Sequence, residues 1–378
     1  MIVEMHDPFP IPPIPWLSKA VQPFADYLHL TTMPLHIHEI LLSFLAYSFV
    51  EAVIAPKAST WLFPERYAAL SREKRINWNV HVVSLVQSVL INTLALWVLF
   101  VDKERKNMNV QERVWGYTGA AGMIQALAAG YFLWDLIISV IHVKVFGVGM
   151  LIHAISALMV FSFGFVSILS QIVELSAYTK QRPFVNFYGC TFILYELSSP
   201  FLNIHWFCDK LNLSGSKTQL YNGIVLLFTF FCCRLVWGTY QSVHVFQDVW
   251  AAINHDHVSN SLNFGHITSD TAVNHDLLSK HSNSPLHYQL MRFSEDQYVP
   301  IWLSLIYLGS NLVLNFLNFF WFRQMIKTIQ KRFRPEVNLK ESSPAADEIT
   351  KYQTENTNLR RRNLVFKANE PETIKSVT

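Results

Sequence analysis

Long stretches without Asp, Glu, Lys or Arg most limit what this 378-residue chain can fold into. A helix needs about 20 mostly apolar residues to cross the hydrocarbon core of a bilayer. Three stretches have no charged residue, namely 76–101, 145–173 and 297–322. Four more stretches contain only one or two charged residues each, namely 36–55, 114–143, 183–208 and 218–247. The sequence therefore predicts an all-α membrane protein with about seven transmembrane helices. The 183–208 helix is expected to be kinked or re-entrant at Pro200.

The composition agrees with this prediction. Hydrophobic residues make up 51% of the chain and charged residues only 15%, against about 25% charged in an average soluble domain. The formal net charge of +3 is too small to indicate a nucleic-acid partner, and no basic domain is present. We therefore expect a protein integral to the membrane, with membrane lipids rather than nucleic acid as partners. An oligomer is compatible with the sequence.

Low-complexity and polar segments divide the chain. Residues 1–23 hold six of the sixteen prolines and predict an extended or interfacial segment. Asn, His and Ser dominate residues 254–287, which predicts a disordered loop; its six His are irregularly spaced, so we interpret them as part of a solvated linker. The expected order is a Pro-rich segment at 1–35, a first helix and basic loop at 36–66, a main domain at 67–334 and a polar tail at 335–378.

The distribution of Lys and Arg predicts the orientation of the chain, because cytosolic loops carry the excess of these residues. Alternate loops collect thirteen on one side and nine on the other, two of them in the long loop that counts less. This predicts a cytosolic carboxyl terminus and an amino terminus on the opposite side. The N-x-S/T sequence at Asn212 then lies on the cytosolic side and should not be glycosylated.

Four ionisable residues fall inside predicted helices: Asp135, His153, Glu196 and Arg234. A charge at the centre of a transmembrane helix costs about 2.5–3.5 kcal/mol, so such groups face the interior and find partners. We expect an Asp135–His153 pair and a Glu196–Arg234 pair in one polar cavity open to the cytosol. Alternatively, both pairs only hold helices together.

Asparagines add to the polar interior. Asn311, Asn315 and Asn318 share one face of the last helix, where they either bond to other helices or line the same cavity. Asn203 is a further candidate lipid-binding residue beside Glu196 and Arg234. If the protein is an enzyme, His153 acts as a base or acyl carrier with Asp135 as its partner. We find no metal-ligand pattern and expect no metal site.

An ordered series of motifs resembles the TLC (TRAM–LAG–CLN) domain family. The matching stretches, in chain order, are NWNVHVVSLVQSVL at 77–90, GYFLWDLIISV at 130–140, LIHAISAL at 151–158, ELSSPFLNIHWF at 196–207, RLVWGTY at 234–240 and LNFLNFFWFRQMI at 314–326. The resemblance covers about 67–334. It implies a six-helix core around a lipid-sized cavity, preceded here by one additional helix, and a location in the endoplasmic reticulum.

Two functions are compatible with this family. Ceramide synthases have a His-His pair where this chain has Ile152-His153, and a His-Asp pair where it has Tyr195-Glu196. The resemblance is therefore closer to the lipid-homeostasis branch than to these sphingolipid enzymes. We expect a protein of the endoplasmic reticulum membrane that binds, moves or regulates lipids and needs no cofactor. The alternative is an N-acyltransferase that uses His153 and takes fatty acyl-CoA as co-substrate.

Overall fold

Every regular element in the part of the chain that the computed structural model describes is helical; this part comprises residues 7–28, 30, 32–165, 183–265 and 301–333. The longer helices are α1 (Pro15–Tyr27), α2 (Met33–Leu62), α3 (Arg72–Val101), α4 (Gly119–Ile141), α5 (Val148–Phe163), α6 (Asn186–Phe192), α7 (Ser199–Lys210), α8 (Lys217–Phe230), α9 (Gly238–Gly265) and α10 (Ile301–Phe333). Shorter helices lie in the connecting segments: Pro64–Ala68, Lys103–Lys106, Val110–Trp115 and Val143–Phe146.

Five helical stretches are long and apolar enough to cross a membrane. These are Met33–Leu62, Arg72–Val101, Val110–Ile141, Lys217–Asn254 and Ile301–Gln330. The prediction of an all-α membrane protein is confirmed, while the count of seven spans stays a prediction. The apolar helix α5 is described only to Phe163, and the remainder of the 145–173 prediction lies largely outside the described residues.

The segment around Glu196 departs from a single α-helix. It consists of α6, a 3₁₀ segment at Ile193–Ser198 and α7, in direct succession. Pro200 lies in the first turn of α7, where its missing N–H costs nothing, so the change from 3₁₀ to α geometry falls just before the proline. The kink or re-entrant path predicted at Pro200 stays a prediction.

The structure corrects two predictions of irregular backbone. Residues 15–27 form α1 rather than an extended segment, with Pro15 at the start of the helix, where proline is favoured. The interfacial alternative stays a prediction. Helix α9 continues to Gly265, so residues 254–265 of the predicted disordered loop are helical. No Gly or Pro interrupts the sequence between Gly238 and Gly265, so these residues can continue the helix. The residues 266–287 of that loop lie outside the described residues.

Helix α2 packs against α4 through small residues. A side chain at Gly130 would collide with the carbonyl oxygen of Ile40 and with Ser43. The Ser43 hydroxyl donates to the Leu127 carbonyl oxygen at 2.7 Å. The row of small residues on α4 therefore allows close backbone approach, as in other membrane helix pairs.

The ends of several helices meet at one end of the bundle. The Val185 N–H donates to the Val114 carbonyl oxygen at 2.8 Å. Arg113 forms a bidentate ion pair with Asp248, with Nε 2.6 Å from Oδ2 and Nη2 2.9 Å from Oδ1. Tyr188 also donates to Asp248. These contacts join the segment before α4, the segment before α6 and helix α9.

The chain divides into two units, Met1–Met325 and Ile326–Thr378. The first contains an aromatic core in which Trp78, Trp115, Phe184 and Tyr307 are fully buried. Everything described below lies in this first unit. Of the second, the structure describes only the helical residues 326–333.

Candidate functional site

Arg234 is the centre of a buried polar cluster that joins several helices. It lies in a π-helical segment, Phe231–Trp237, between α8 and α9. Its guanidinium donates from Nε to Ser198 Oγ at 2.9 Å, from Nη1 to Asn318 Oδ1 at 3.1 Å and from Nη2 to Ser199 Oγ at 3.0 Å. Nη2 also lies 3.4 Å from Glu196 Oε1. The predicted Glu196–Arg234 pair is therefore present, with three neutral acceptors around it.

Irregular backbone supplies both members of this pair. Glu196 belongs to the 3₁₀ segment before α7, and Arg234 belongs to the π-helical segment. Such segments rotate side chains away from their α-helical directions and are frequent at functional sites. They bring Ser198, Ser199 and Glu196 together on one face toward α10, where Asn318 completes the cluster.

Asp135 is the second buried carboxylate of this region. It is 7% exposed and interacts electrostatically with Glu196. Tyr131, one turn away on α4, interacts electrostatically with both carboxylates. No Lys, Arg or His forms an ion pair with Asp135 in the described part of the chain. Two carboxyl groups thus share this region with a single guanidinium.

His153 does not pair with Asp135, which corrects the sequence-based prediction. Its ring lies edge-on to Trp321, with centroids 5.3 Å apart, and its other close aromatic neighbour is Phe132 at 6.5 Å. Its Nδ1 has no hydrogen-bond partner in the described part of the chain. The α4–α5 hairpin does bring the two helices together. The α4 side chain beside the imidazole is Phe132, whereas Asp135 interacts electrostatically with Glu196. His153 is only half-buried, while Asp135, Glu196 and Arg234 are buried.

The asparagines bond mostly between helices. Asn315 Nδ2 donates to Ser242 Oγ at 2.7 Å, and the Tyr195 hydroxyl donates to Asn315 Oδ1 at 3.3 Å. Asn311 accepts from Asn315, but its own Nδ2 has no partner. Contacts to Ser242 and Tyr195 support the helix-bonding role for Asn315.

Asn203 belongs to a neighbouring cluster between α3 and α7. Its Oδ1 lies 2.7 Å from His81 Nδ1, and its Nδ2 donates to Ser84 Oγ at 3.0 Å. The His81 ring stacks on Trp206 with centroids 4.0 Å apart. His81 was not among the site residues predicted from the sequence, although it lies in NWNVHVV, part of one of the stretches that resemble the family.

A cleft of about 320 Å³ lies elsewhere, beside Trp97, Asp102 and Thr118. This cleft is not lined by any of the four predicted ionisable residues, Asp135, His153, Glu196 and Arg234. The lipid-sized cavity implied by the family resemblance therefore stays a prediction.

A third polar cluster was not anticipated from the sequence. Asp7, His36 and Glu39 place metal-ligand atoms within 4.8 Å of one another. The His-x-His-Glu sequence at 36–39 was a local signal for it. Asp7 lies far away along the chain, so only the fold brings it to the other two.

Comparison with known proteins identifies the family. A family model described as the TLC domain matches residues 77–327. An uncharacterised TLC domain-containing protein of Schizosaccharomyces pombe is 36% identical over 87% of this chain and 89% of its own length. Topoisomerase I damage affected protein 4 of Saccharomyces cerevisiae is 27% identical over 79% of this chain and 86% of its own.

A human relative is matched over a shorter stretch. TLC domain-containing protein 4 of Homo sapiens is 29% identical over 45% of this chain and 58% of its own length. The family match covers α3 to α10, and therefore the helices that carry Asp135, His153, Glu196 and Arg234. The chain belongs to the TLC domain family.

Proposed function

We propose that the protein binds membrane lipids through the polar cluster around Glu196 and Arg234, and that it thereby regulates lipid composition. The observation that carries this proposal is Asp135, a buried carboxyl group with which no Lys or Arg forms an ion pair in the described part of the chain. An ionisable residue inside a membrane bundle is costly and commonly marks a functional site. A lipid headgroup that donates hydrogen bonds would satisfy Asp135.

The charges favour one class of headgroup. Arg234 is already surrounded by Glu196, Ser198, Ser199 and Asn318. The second carboxyl group, Asp135, pairs with no guanidinium among the described residues. A headgroup with an amine or several hydroxyl groups therefore complements the cluster better than an anionic one.

The surroundings of His153 support binding over acyl transfer. A histidine base or nucleophile needs an orienting group within about 3.2 Å, or one bridging water, and catalytic contacts can tighten on substrate binding. Among the residues that the structure describes, His153 Nδ1 has no hydrogen-bond partner, and aromatic rings flank the imidazole. The acyltransferase alternative would need a rearrangement that brings an acidic group to His153.

The proposed location is the endoplasmic reticulum membrane, with a luminal amino terminus and a cytosolic carboxyl terminus. Family membership and the Lys/Arg distribution support this proposal. Asp135 and His153 lie near the helix ends that would face the cytosol, so a lipid would enter the cluster from the cytosolic leaflet.

Comparative lipid analysis tests the proposal. Cells that lack the gene are complemented at matched expression with wild type, Asp135→Asn, His153→Ala or the control Glu73→Gln, whose side chain is exposed at the start of α3. Acyl-CoA transfer is measured in microsomes from the same cells.

We expect wild type and Glu73→Gln to restore the lipid profile, and Asp135→Asn and His153→Ala to restore it in part. Acyl transfer that is present in wild type and lost in His153→Ala would contradict the binding proposal and support the enzyme. An unchanged lipid profile in cells without the gene would contradict a role in lipid composition.

A further inference from the structure

Asp7, His36 and Glu39 form a compact group outside the residues that match the TLC domain. His36 and Glu39 lie one turn apart at the start of α2, and Asp7 reaches them from the segment before α1. The His36 side chain is 1% exposed, that of Glu39 0% and that of Asp7 24%. The group is therefore enclosed on the helix side and open on the Asp7 side.

The spacing of the ligand atoms suits a transition-metal ion. His36 Nδ1 lies 3.0 Å from Glu39 Oε2 and 3.5 Å from Asp7 Oδ2. Zinc binds nitrogen and carboxylate oxygen at about 2.0–2.2 Å, so two ligand atoms of a tetrahedral site lie about 3.4 Å apart. One imidazole and two carboxylates are a ligand set that zinc accepts, with a fourth position left for water or another ligand.

Glu39 supplies an independent sign of a missing partner. Its Oε1 is buried and has no hydrogen-bond partner in the described part of the chain. His38 Nε2 is 3.7 Å from this oxygen and already bonds to the Ile11 carbonyl oxygen at 2.9 Å. No Lys or Arg forms an ion pair with either carboxylate in the described part of the chain. A bound cation would satisfy Oε1 and neutralise both acids.

The surroundings hold the three ligands in place. His36 Nε2 lies 2.6 Å from the Tyr117 hydroxyl. A metal-bound histidine usually bonds through its other ring nitrogen to such a partner, which fixes the ring orientation. A methyl group at Gly122 would lie 2.5 Å from His36 Nε2, and one at Gly119 would lie 2.9 Å from the Asp7 backbone nitrogen. Helix α4 thus begins with glycines where the imidazole and Asp7 need the space.

We propose that Asp7, His36 and Glu39 bind a divalent transition-metal ion, for which Zn²⁺ is the best fit. The ion takes Nδ1 of His36, while Nε2–H donates to Tyr117. It connects the amino-terminal segment to α2. The site is separate from the Asp135, Glu196 and Arg234 cluster and does not depend on the proposed lipid function.

Zinc binding to the full-length protein tests the site. The chain is purified in detergent without a histidine tag, and its zinc content and affinity are measured by mass spectrometry of the metal and by competition with a chromophoric chelator. The variants are Glu39→Gln and Asp7→Asn. Their matched controls are Glu51→Gln, on the same helix, and Asp26→Asn, exposed on α1.

We expect about one zinc ion per wild-type chain, affinity lowered by about tenfold or more in both site variants, and no change in the controls. Asp7 lies at the edge of the site, so Asp7→Asn should fold even if Glu39→Gln does not. A chelator should lower the melting temperature of wild type and leave that of Asp7→Asn unchanged. Wild type without stoichiometric zinc uptake, or equal zinc affinity in Asp7→Asn and Asp26→Asn, would overturn the proposal; the two carboxyl groups would then share a proton instead.

Discussion

Arg234 Nη2 lies 3.4 Å from Glu196 Oε1, and each residue of this pair lies where a helix departs from α geometry. Both side chains are buried, so neither charge is solvated by bulk water. Removing one charge of such a pair leaves the other without compensation in a medium of low polarity. The pair therefore links the local backbone irregularities to the stability of the whole bundle.

Arg234→Leu should destabilise the protein by about 3–5 kcal/mol, because it strands Glu196 and leaves Ser198, Ser199 and Asn318 without their donor. The measurement is the melting temperature and the monodisperse yield in detergent. Arg323→Leu is the control, since Arg323 is exposed on α10. An Arg234→Leu protein as stable as the control would show that Glu196 does not need this partner.

Gly130→Ala should destabilise the protein by about 1–3 kcal/mol, because the added methyl group collides with the Ile40 backbone of α2. Gly309→Ala is the matched control: it lies inside α10 and a methyl group there meets nothing within 4 Å. Alanine should stabilise that helix by up to about 1 kcal/mol. Thermal unfolding in detergent compares the two. Equal melting temperatures would contradict the close α2–α4 contact.

Glycosylation in microsomes tests the proposed orientation. Asn212, in the turn between α7 and α8, should remain unmodified because that turn is assigned to the cytosolic side. Asn109→Thr creates a sequon at the exposed Asn107 on the opposite side and preserves a capping residue before Val110–Trp115. We expect a glycosidase-sensitive mobility shift for Asn109→Thr only. A glycan on Asn212 would contradict the proposed orientation and support the opposite one.

The helices were predictable because a charge-free stretch of this length can cross a membrane as an α-helix, which satisfies all of its backbone hydrogen bonds internally. The start of α7 was also predictable, because proline is tolerated only in the first turn of a regular helix. The change from 3₁₀ to α geometry falls just before Pro200. The Glu196–Arg234 pair followed from the cost of two isolated charges, although the π-helical turn that positions Arg234 left no periodic signal in the sequence.

The neighbours of His153 and the Asp7–His36 contact could not be predicted, because they depend on helix rotation and on long-range contacts. Phe132 and Asp135 are one turn apart on α4, so a small rotation decides which of them faces His153; the structure presents Phe132. Asp7 and His36 are separated by the whole of α1 and its flanking segments, and Tyr117 lies 81 residues beyond His36. Neither contact can be read from local spacing.

The lipid that copurifies with the protein tests the lipid-binding proposal most directly. Wild type, Asp135→Asn and the control Glu73→Gln are purified under identical conditions, and their extracted lipids are quantified per chain by mass spectrometry. We predict that wild type and Glu73→Gln retain a lipid whose headgroup carries an amine or several hydroxyl groups. Asp135→Asn should retain about tenfold less of it, as expected for a lost hydrogen bond to a charged group. Extracts that match the bulk membrane in all three proteins would contradict the proposal.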